Sequence, residues 1–181
     1  MKKFELTAES KINIFGKKLF RIKALISFGD VEEGETGGWI EKEENLEQSS
    51  GNAWVYGNAE VYGNARVYGN AEVYGNAWVY GNAEVYGNAE VYGNARVSGN
   101  AEVSGNADYT TIHGFGTQFR TTTFFQCEDK QIRVSCGCFL GTIPEFREQV
   151  KNTREGKIAE EYLMIADLME KHFVKEKESG E

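Results

Sequence analysis

The sequence is poor in the residues from which most active sites, disulfide frameworks and membrane segments are built. Its 181 residues include two histidines and three cysteines. The cysteines all lie between positions 127 and 138, which is too few and too local for a disulfide framework, so we expect reduced thiols. No run of about 18 apolar residues occurs, and "MKKFELTAES" lacks the apolar core of a signal peptide. We therefore expect a cytoplasmic protein without a membrane contact.

Basic residues are also outnumbered. The chain has 20 Lys and Arg against 28 Asp and Glu, which gives a formal net charge of −8. Because an acidic protein repels phosphate backbones, we expect no direct binding to nucleic acid. The acidic excess leaves open a role as a nucleic-acid mimic, although Arg66 and Arg96 interrupt the acidic positions.

What the sequence has in excess is one six-residue word. "GNAxVY" begins at Gly51, recurs every six residues and ends in the degraded copy "GNADYT". Within a word, Ala and Val point to one side of an extended strand, while Tyr and the variable residue point to the other. Gly and Asn tolerate positive φ and place a turn in every word. Strands this short do not pair stably as hairpins, so the pattern predicts a parallel β-helix with three words per coil.

The repeat resembles the left-handed β-helix of the hexapeptide-repeat superfamily, whose word has an aliphatic residue at one position and a small residue four later. The resemblance implies the handedness, and it implies a homotrimer because superfamily members are commonly trimers. The flanks resemble a narrower group, the YdcK-like β-helix proteins of bacteria and their phages. The segments that carry this likeness are "FELTAESKINIFGKKLFRIKALISFGDVEEGETGGWIEKEENL", "TTTFF", "VSCGCFLGTIPEFREQV" and "EEYLMIADLMEKHF". This likeness implies a phage or prophage origin and no particular reaction.

The expected fold is therefore dominated by β-structure. It is a single-stranded, left-handed parallel β-helix with an N-terminal β-hairpin cap and a C-terminal module of strands and two helices. We assign the segments as 1–24 for the cap, 25–112 for the β-helix, 113–175 for the C-terminal strands and helical hairpin, and 176–181 for a frayed tail.

Several details of the flanks are also predicted. The hairpin turns at Gly16-Lys17, and degenerate coils place inward the side chains of Leu25, Val31, Ile40 and Leu46. A capping box from Thr142 to Glu145 starts the first helix. The second helix, at about 158–174, is predicted to bury Leu163, Ile165, Ala166, Leu168, Met169 and Phe173.

Three words per coil would stack residues that are 18 apart. The variable positions then form three columns: Trp54, Glu72, Glu90 and Asp108; Glu60, Trp78 and Arg96; and Arg66, Glu84 and Glu102. Stacked glutamates repel one another, and their simplest role is solubility and edge protection. The tyrosines form further outer columns, which favour a subunit interface.

Ligand binding is most plausible where the repeat is interrupted. Trp78 and Arg96 are expected to be direct neighbours across a coil boundary, offering a stacking face and a donor to phosphate or carboxylate. A surface cation–π pair without a ligand is the alternative. Further candidate residues are Trp54 and Arg66 in the repeat, and a cluster of His113, Phe115 and Arg120 beyond the last coil.

No catalytic or metal-binding constellation stands out. The two histidines, His113 and His172, are too few for a three-histidine zinc site. His113 could act as a base in a groove, whereas His172 is expected to be structural. Three thiols, Cys127, Cys136 and Cys138, are weak metal candidates, one short of a structural zinc site, and are more simply explained as small residues at a strand-to-helix junction. We expect no cofactor.

Three functional hypotheses follow. The first is a non-enzymatic binding or scaffold protein of a phage or prophage, an oligomer that binds a host protein or a small nucleotide-like signalling ligand, with sequestration as a counter-defence role. The second is an acyltransferase-like hexapeptide enzyme with a non-standard active site. The third is the acidic nucleic-acid mimic.

Overall fold

The six-residue words form a parallel β-solenoid, as their pattern predicts. The computed structural model of the protein describes residues 2–174, so the tail predicted at 176–181 lies outside the described residues. Each word supplies a two-residue strand, and strands 18 residues apart pair in parallel. Val61, for example, pairs with Val79, and Val79 with Val97. Three words therefore make one coil.

The strands of the solenoid form three faces around an aliphatic interior. They are β4 (Trp54–Val55), β5 (Glu60–Val61), β6 (Arg66–Val67), β7 (Glu72–Val73), β8 (Trp78–Val79), β9 (Glu84–Val85), β10 (Glu90–Val91), β11 (Arg96–Val97) and β12 (Glu102–Val103). The faces are β4-β7-β10, β5-β8-β11 and β6-β9-β12. From Ala53 to Val103, no inward Ala or Val of these words is more than 1% exposed. The predicted division into inward and outward positions is confirmed.

The N-terminal segment forms a hairpin that continues into one face of the solenoid. β1 (Phe4–Ile12) and β2 (Lys18–Ala24) pair antiparallel, which confirms the predicted hairpin. β3 (Thr36–Ile40) pairs antiparallel with β2 and parallel with β5. The hairpin is thereby joined to the β5-β8-β11 face.

The degenerate coils are confirmed except at their first residue. Val31, Ile40 and Leu46 are buried, as predicted, but Leu25 is only half-buried. Ala24 takes the inward position in its place, because Ile22 and Ala24 lie on the same face of β2 and are both buried.

After the last coil the chain leaves the solenoid and builds an antiparallel sheet. β13 (Tyr109–Phe115), β14 (Arg120–Gln126), β15 (Ile132–Cys136) and β16 (Phe139–Thr142) pair in sequence order. The word "GNADYT" is not a coil, because the carboxylate of Asp108 accepts hydrogen bonds from the backbone and hydroxyl of Ser104 and closes a turn. The prediction that Asp108 extends the first column is therefore wrong.

Side-chain oxygens cap the open edge of the last coil. Exposed strand edges invite association, and a final coil has no next coil to accept its backbone N–H groups. Three of these groups donate instead to side chains: Glu90 to Asn106 Oδ1, Arg96 to Thr123 Oγ1, and Ser104 to Asp108 Oδ2. The C-terminal module is thus attached to the solenoid through hydrogen bonds as well as packing.

Two helices cover the antiparallel sheet. α1 (Ile143–Thr153) begins with the predicted capping box, in which Thr142 and Glu145 exchange hydrogen bonds. α2 (Gly156–His172) buries Ile165, Ala166 and Met169, as predicted, together with Tyr162. Leu168 is 57% exposed, so its predicted burial is wrong; at 100° per residue it falls outside the stripe from Tyr162 to Met169. Within residues 2–174, no helix is long and apolar enough to cross a membrane.

Candidate functional site

Three parts of the fold meet at a groove that we call the hairpin groove. Its walls are the tip of the N-terminal hairpin (Ile14, Phe15), the β5-β8-β11 face (Tyr80, Asn94, Arg96) and the C-terminal sheet (His113, Gln118 to Thr121, Ser135, and Gly137 to Leu140). Its volume is about 710 Å³. Although the chain is acidic, none of these lining residues, all from the described part of the chain, is Asp or Glu. The groove therefore has the opposite charge to the protein as a whole.

Arg96 is held in place from two sides. Its strand pairs with that of Trp78, and its guanidinium carbon lies 4.4 Å from the centre of the Trp78 ring, which confirms the predicted cation–π pair. Nη1 of Arg96 also donates to the backbone oxygen of Gly137 at 3.3 Å. The solenoid fixes the base of this side chain and the C-terminal sheet fixes its end.

Arg120 reaches the same glycine from the C-terminal sheet. Gly137 has a φ of 62°, and a Cβ added there would stand 2.5 Å from Nη1 of Arg120. A larger residue would therefore be strained and would displace the arginine. Two guanidinium groups from segments far apart in sequence lie beside one backbone position.

Neither of these two arginines has a carboxylate partner within residues 2–174. Four other arginines, Arg21, Arg66, Arg133 and Arg147, each lie within 4.0 Å of an Asp or Glu oxygen. Arg154 also lacks a carboxylate partner in the described chain, but it lies outside the hairpin groove, and its guanidinium donates to the backbone oxygen of Thr153. Two converging guanidinium groups repel each other unless an anion lies between them, and their planar donors suit carboxylate or phosphate. This part of the groove has the chemistry of an anion site.

Aromatic rings form the other wall. Tyr80 stacks on Tyr62 with ring centres 5.1 Å apart and planes 5° from parallel. The next residue of this column is Ser98, so the repeat places no further ring on Tyr80. Phe15 of the hairpin lies edge-on to Trp78 at 5.8 Å and 6.2 Å from Tyr80. The groove thus offers ring surfaces beside its cations.

Large apolar side chains also surround the groove and remain open to solvent. Ile14 is 76% exposed, Phe119 65%, Phe15 56% and Leu140 48%. Exposed apolar residues that cluster at one groove, rather than lying scattered, mark a surface for binding.

The cluster predicted beyond the last coil is only partly brought together. His113 lies in the hairpin groove with Nδ1 3.3 Å from Thr121 Oγ1. Phe115 does not reach it and packs against the core under the helices, where its backbone oxygen accepts from Tyr162. The pairing of β13 with β14 shifts register between Ile112 and Phe115, which breaks the alternation that would have placed positions 113 and 115 on one face.

Two predicted site residues lie elsewhere. Trp54 is fully buried, with the rings of Phe4 and Phe28 edge-on to it at 6.1 and 5.4 Å, so the prediction that it binds a ligand is wrong. The N-terminal segment covers this outward position. Arg66 is exposed on the β6-β9-β12 face, 3.9 Å from a Glu84 oxygen, and does not join the groove.

The stacked glutamates are confirmed as neighbours, and tyrosines bond to them. Glu72 pairs with Glu90, and Glu84 with Glu102. Three tyrosine hydroxyls donate diagonally to these columns: Tyr56 to Glu72, Tyr68 to Glu84 and Tyr74 to Glu90. The pKa of Tyr68 and that of Tyr74 are raised to about 12. Partial burial is the larger cause, and these hydrogen bonds are the next largest. Sequence reasoning missed this pairing, which the spacing of 16 residues between donor and acceptor could have revealed.

The three thiols do not form a common site. Cys136 is the last residue of β15, whereas Cys127 follows β14 and its backbone N–H donates to Gln131, just before β15 begins; Cys138 lies exposed in the hairpin groove. Burial raises the pKa of the Cys127 thiol to about 11. Among residues 2–174, no group of three or more His, Cys, Asp or Glu side chains could hold a metal ion. His172 lies at the end of α2, against Phe173.

Comparison with known proteins identifies the repeat. The family model described as the YdcK beta solenoid repeat matches the chain three times, at residues 59–75, 65–81 and 89–105. A search of curated proteins found no match to the chain. The family matches fall inside the solenoid, and they confirm the resemblance to YdcK-like β-helix proteins that the sequence indicated.

Proposed function

The repeat of this chain matches the YdcK beta solenoid repeat, and we propose that the protein is a non-enzymatic binding protein that holds an anionic small ligand in the hairpin groove. One observation carries the proposal: Arg96 and Arg120 converge on Gly137 without a carboxylate partner in the described chain. The protein has a net charge of −8, yet this groove contains two arginines and no carboxylate. Its local positive charge is suited to binding an anion.

The groove also has the size and composition of a small-molecule site. Its volume of about 710 Å³ lies within the roughly 300–1,000 Å³ typical of ligand pockets. It combines a small number of anchored polar groups with a larger apolar and aromatic surface. In ligand pockets, such polar groups provide specificity and the apolar surface buries the ligand. A rigid solenoid supplies one wall, so part of the site is formed before the ligand arrives.

The biological setting is part of the same proposal. The resemblance to YdcK-like phage proteins supports a phage or prophage protein that acts in the cytoplasm of its bacterial host. Sequestering a small signalling ligand of the host would then serve counter-defence. We propose a homotrimer as the assembly, on the strength of the superfamily resemblance.

Native mass spectrometry of the protein purified from cells tests the proposal. Spectra recorded under gentle conditions are compared with spectra of the denatured protein, so that a retained small molecule appears as a mass difference and the oligomeric state is read directly. We expect a trimer that carries an anionic metabolite. The double variant R96Q/R120Q would lose that mass, because both donors to the anion are removed.

A matched control separates the groove from general effects of charge. R66Q changes an arginine in the same repeat word on another face and is expected to retain the ligand. A ligand-free protein, or equal loss in R66Q, would overturn the proposal. Release of coenzyme A from an acyl-CoA that depends on His113 would instead establish the acyltransferase hypothesis.

A further inference from the structure

We infer that the ligand of the hairpin groove is a nucleotide whose base stacks on Tyr80 and whose phosphate lies between Arg96 and Arg120. This inference rests on the proposed function and adds to it the chemical class of the ligand and the role of Tyr80, a residue of the regular repeat. Its basis is the way the tyrosine columns end.

The columns of stacked tyrosines end differently at the last coil. The column of Tyr68 and Tyr86 continues to Ser104, and Tyr86 does not line the hairpin groove. Tyr92 stacks on Tyr74 and meets the edge of Tyr109 at 6.3 Å, so another ring of the chain follows it. The column of Tyr62 and Tyr80 continues to Ser98 instead, and its last ring lines the hairpin groove. A stack of parallel rings ends here at a cavity.

A planar ligand is the natural continuation of such a stack. Parallel, offset rings attract each other beyond the area that they bury, and aromatic side chains bind nucleobases because every base presents a flat π-face. Tyr80 is held parallel to Tyr62 by the repeat, so its orientation is set before binding. Phe15 of the hairpin stands beside it and bounds the same space.

The arginines lie where a phosphate attached to that base would reach. Arg96 pairs with Trp78, and Tyr80 follows Trp78 by two residues on the same outward side. Two residues of extended strand span roughly 6–7 Å, about the separation of a base and its phosphate across one sugar. A guanidinium pair binds phosphate oxygens through planar, bidentate hydrogen bonds. The groove thus places a ring surface and an anion site at nucleotide spacing.

Calorimetric titration of the full chain tests the inference with three probes: AMP, adenosine and inorganic phosphate. We expect AMP to bind at least tenfold more tightly than either fragment. Tyr80→Leu should weaken AMP binding roughly tenfold, since base stacking contributes about 1–3 kcal/mol per base, and should leave phosphate binding unchanged. Tyr80→Phe keeps the ring and should retain the affinity for AMP.

The matched control is Tyr86→Leu, which removes the last ring of a stack with Tyr68 on another face of the solenoid. It is expected to bind AMP as the unmodified protein does, and circular dichroism checks that both leucine variants are folded. Equal binding of AMP and phosphate, or an unchanged affinity of Tyr80→Leu, overturns the nucleotide inference while the anion site stands. If none of the three probes binds, the nucleotide inference is also wrong. Whether native mass spectrometry finds a retained anionic ligand then tests the proposed function separately.

Discussion

Two faces of the solenoid carry the same repeated word and differ in what covers them. On the β6-β9-β12 face, charges are matched within the face or by a nearby lysine: Arg66 lies near Glu84, Tyr68 donates to Glu84, and Lys130 pairs with Glu102. On the β5-β8-β11 face, Lys11 of the hairpin forms an ion pair with Glu60, whereas Arg96 lines the hairpin groove without a carboxylate partner in the described chain. The two faces differ at the variable position of the word, where Trp78 and Arg96 stand on one face and Glu84 and Glu102 on the other, and they differ in the flanking segments that contact them.

The repeat thus forms a site where its variable residues meet a different structure. The flanking segments bury Trp54. The ammonium of Lys3 donates a hydrogen bond to the backbone oxygen of Ala53, and the hydroxyl of Thr123 accepts one from the Arg96 amide at the edge of the last coil. Each of these contacts can be removed singly, and its effect can be compared with that of a related position.

The largest difference is expected between the two tryptophans of the repeat. Trp54→Ala removes a fully buried ring that packs against Phe4 and Phe28, and should lower the free energy of unfolding by about 3–5 kcal/mol. Trp78→Ala removes a half-buried ring and should cost clearly less while weakening ligand binding. Urea denaturation followed by circular dichroism measures both. Equal losses of stability would show that the covering of Trp54 contributes little.

A smaller effect is expected at the cap of the last coil. Thr123→Val keeps the shape of a buried side chain but removes the acceptor of the Arg96 amide, and an unsatisfied buried amide costs about 1–3 kcal/mol. Thr122→Val is the control, since its hydroxyl donates only to the sulfur of Cys136. Hydrogen exchange of the Arg96 amide reports whether the edge opens. If the two variants behave alike, the side-chain cap is unimportant.

The smallest effect is expected at Lys3 and depends on pH. Its Nζ donates to Ala53 of the first word at 3.0 Å, and burial lowers the pKa of Lys3 to about 8. The folded protein then binds fewer protons here than the unfolded chain between pH 8 and 10.5, so this residue makes the protein more stable as pH rises through that window. The gain from pH 7.5 to 9.5 is on the order of 1 kcal/mol.

The test compares the pH dependence of the free energy of unfolding of the unmodified protein with that of Lys3→Met. The comparison is needed because other groups titrate in the opposite sense. Cys127 keeps its proton in the folded state up to about pH 11, so its contribution falls over part of the same range. Lys3→Met retains Cys127 and should lack the rise. Parallel stability curves for the two proteins would contradict the lowered pKa of Lys3.

The sequence predicted the regular parts of this molecule well, for a physical reason. The period of six and the alternation of Ala and Val specify contacts that each coil repeats with its neighbours, so the pairing of Trp78 with Arg96 followed from counting to 18. The hairpin and the capping box of α1 are likewise encoded within a few residues. Phe115 could not be placed because one register shift in β13 reversed its direction.

Local sequence therefore determined the coil, its interior and the order of its columns, because each depends on neighbours at a constant spacing. The tertiary structure alone decided that Trp54 is buried and Trp78 borders a groove, and that Arg120 and Arg96 meet at Gly137. Those outcomes depend on where the hairpin and the antiparallel sheet fold back on the solenoid. Such contacts join residues far apart in sequence, and no repeating pattern in the words encodes them.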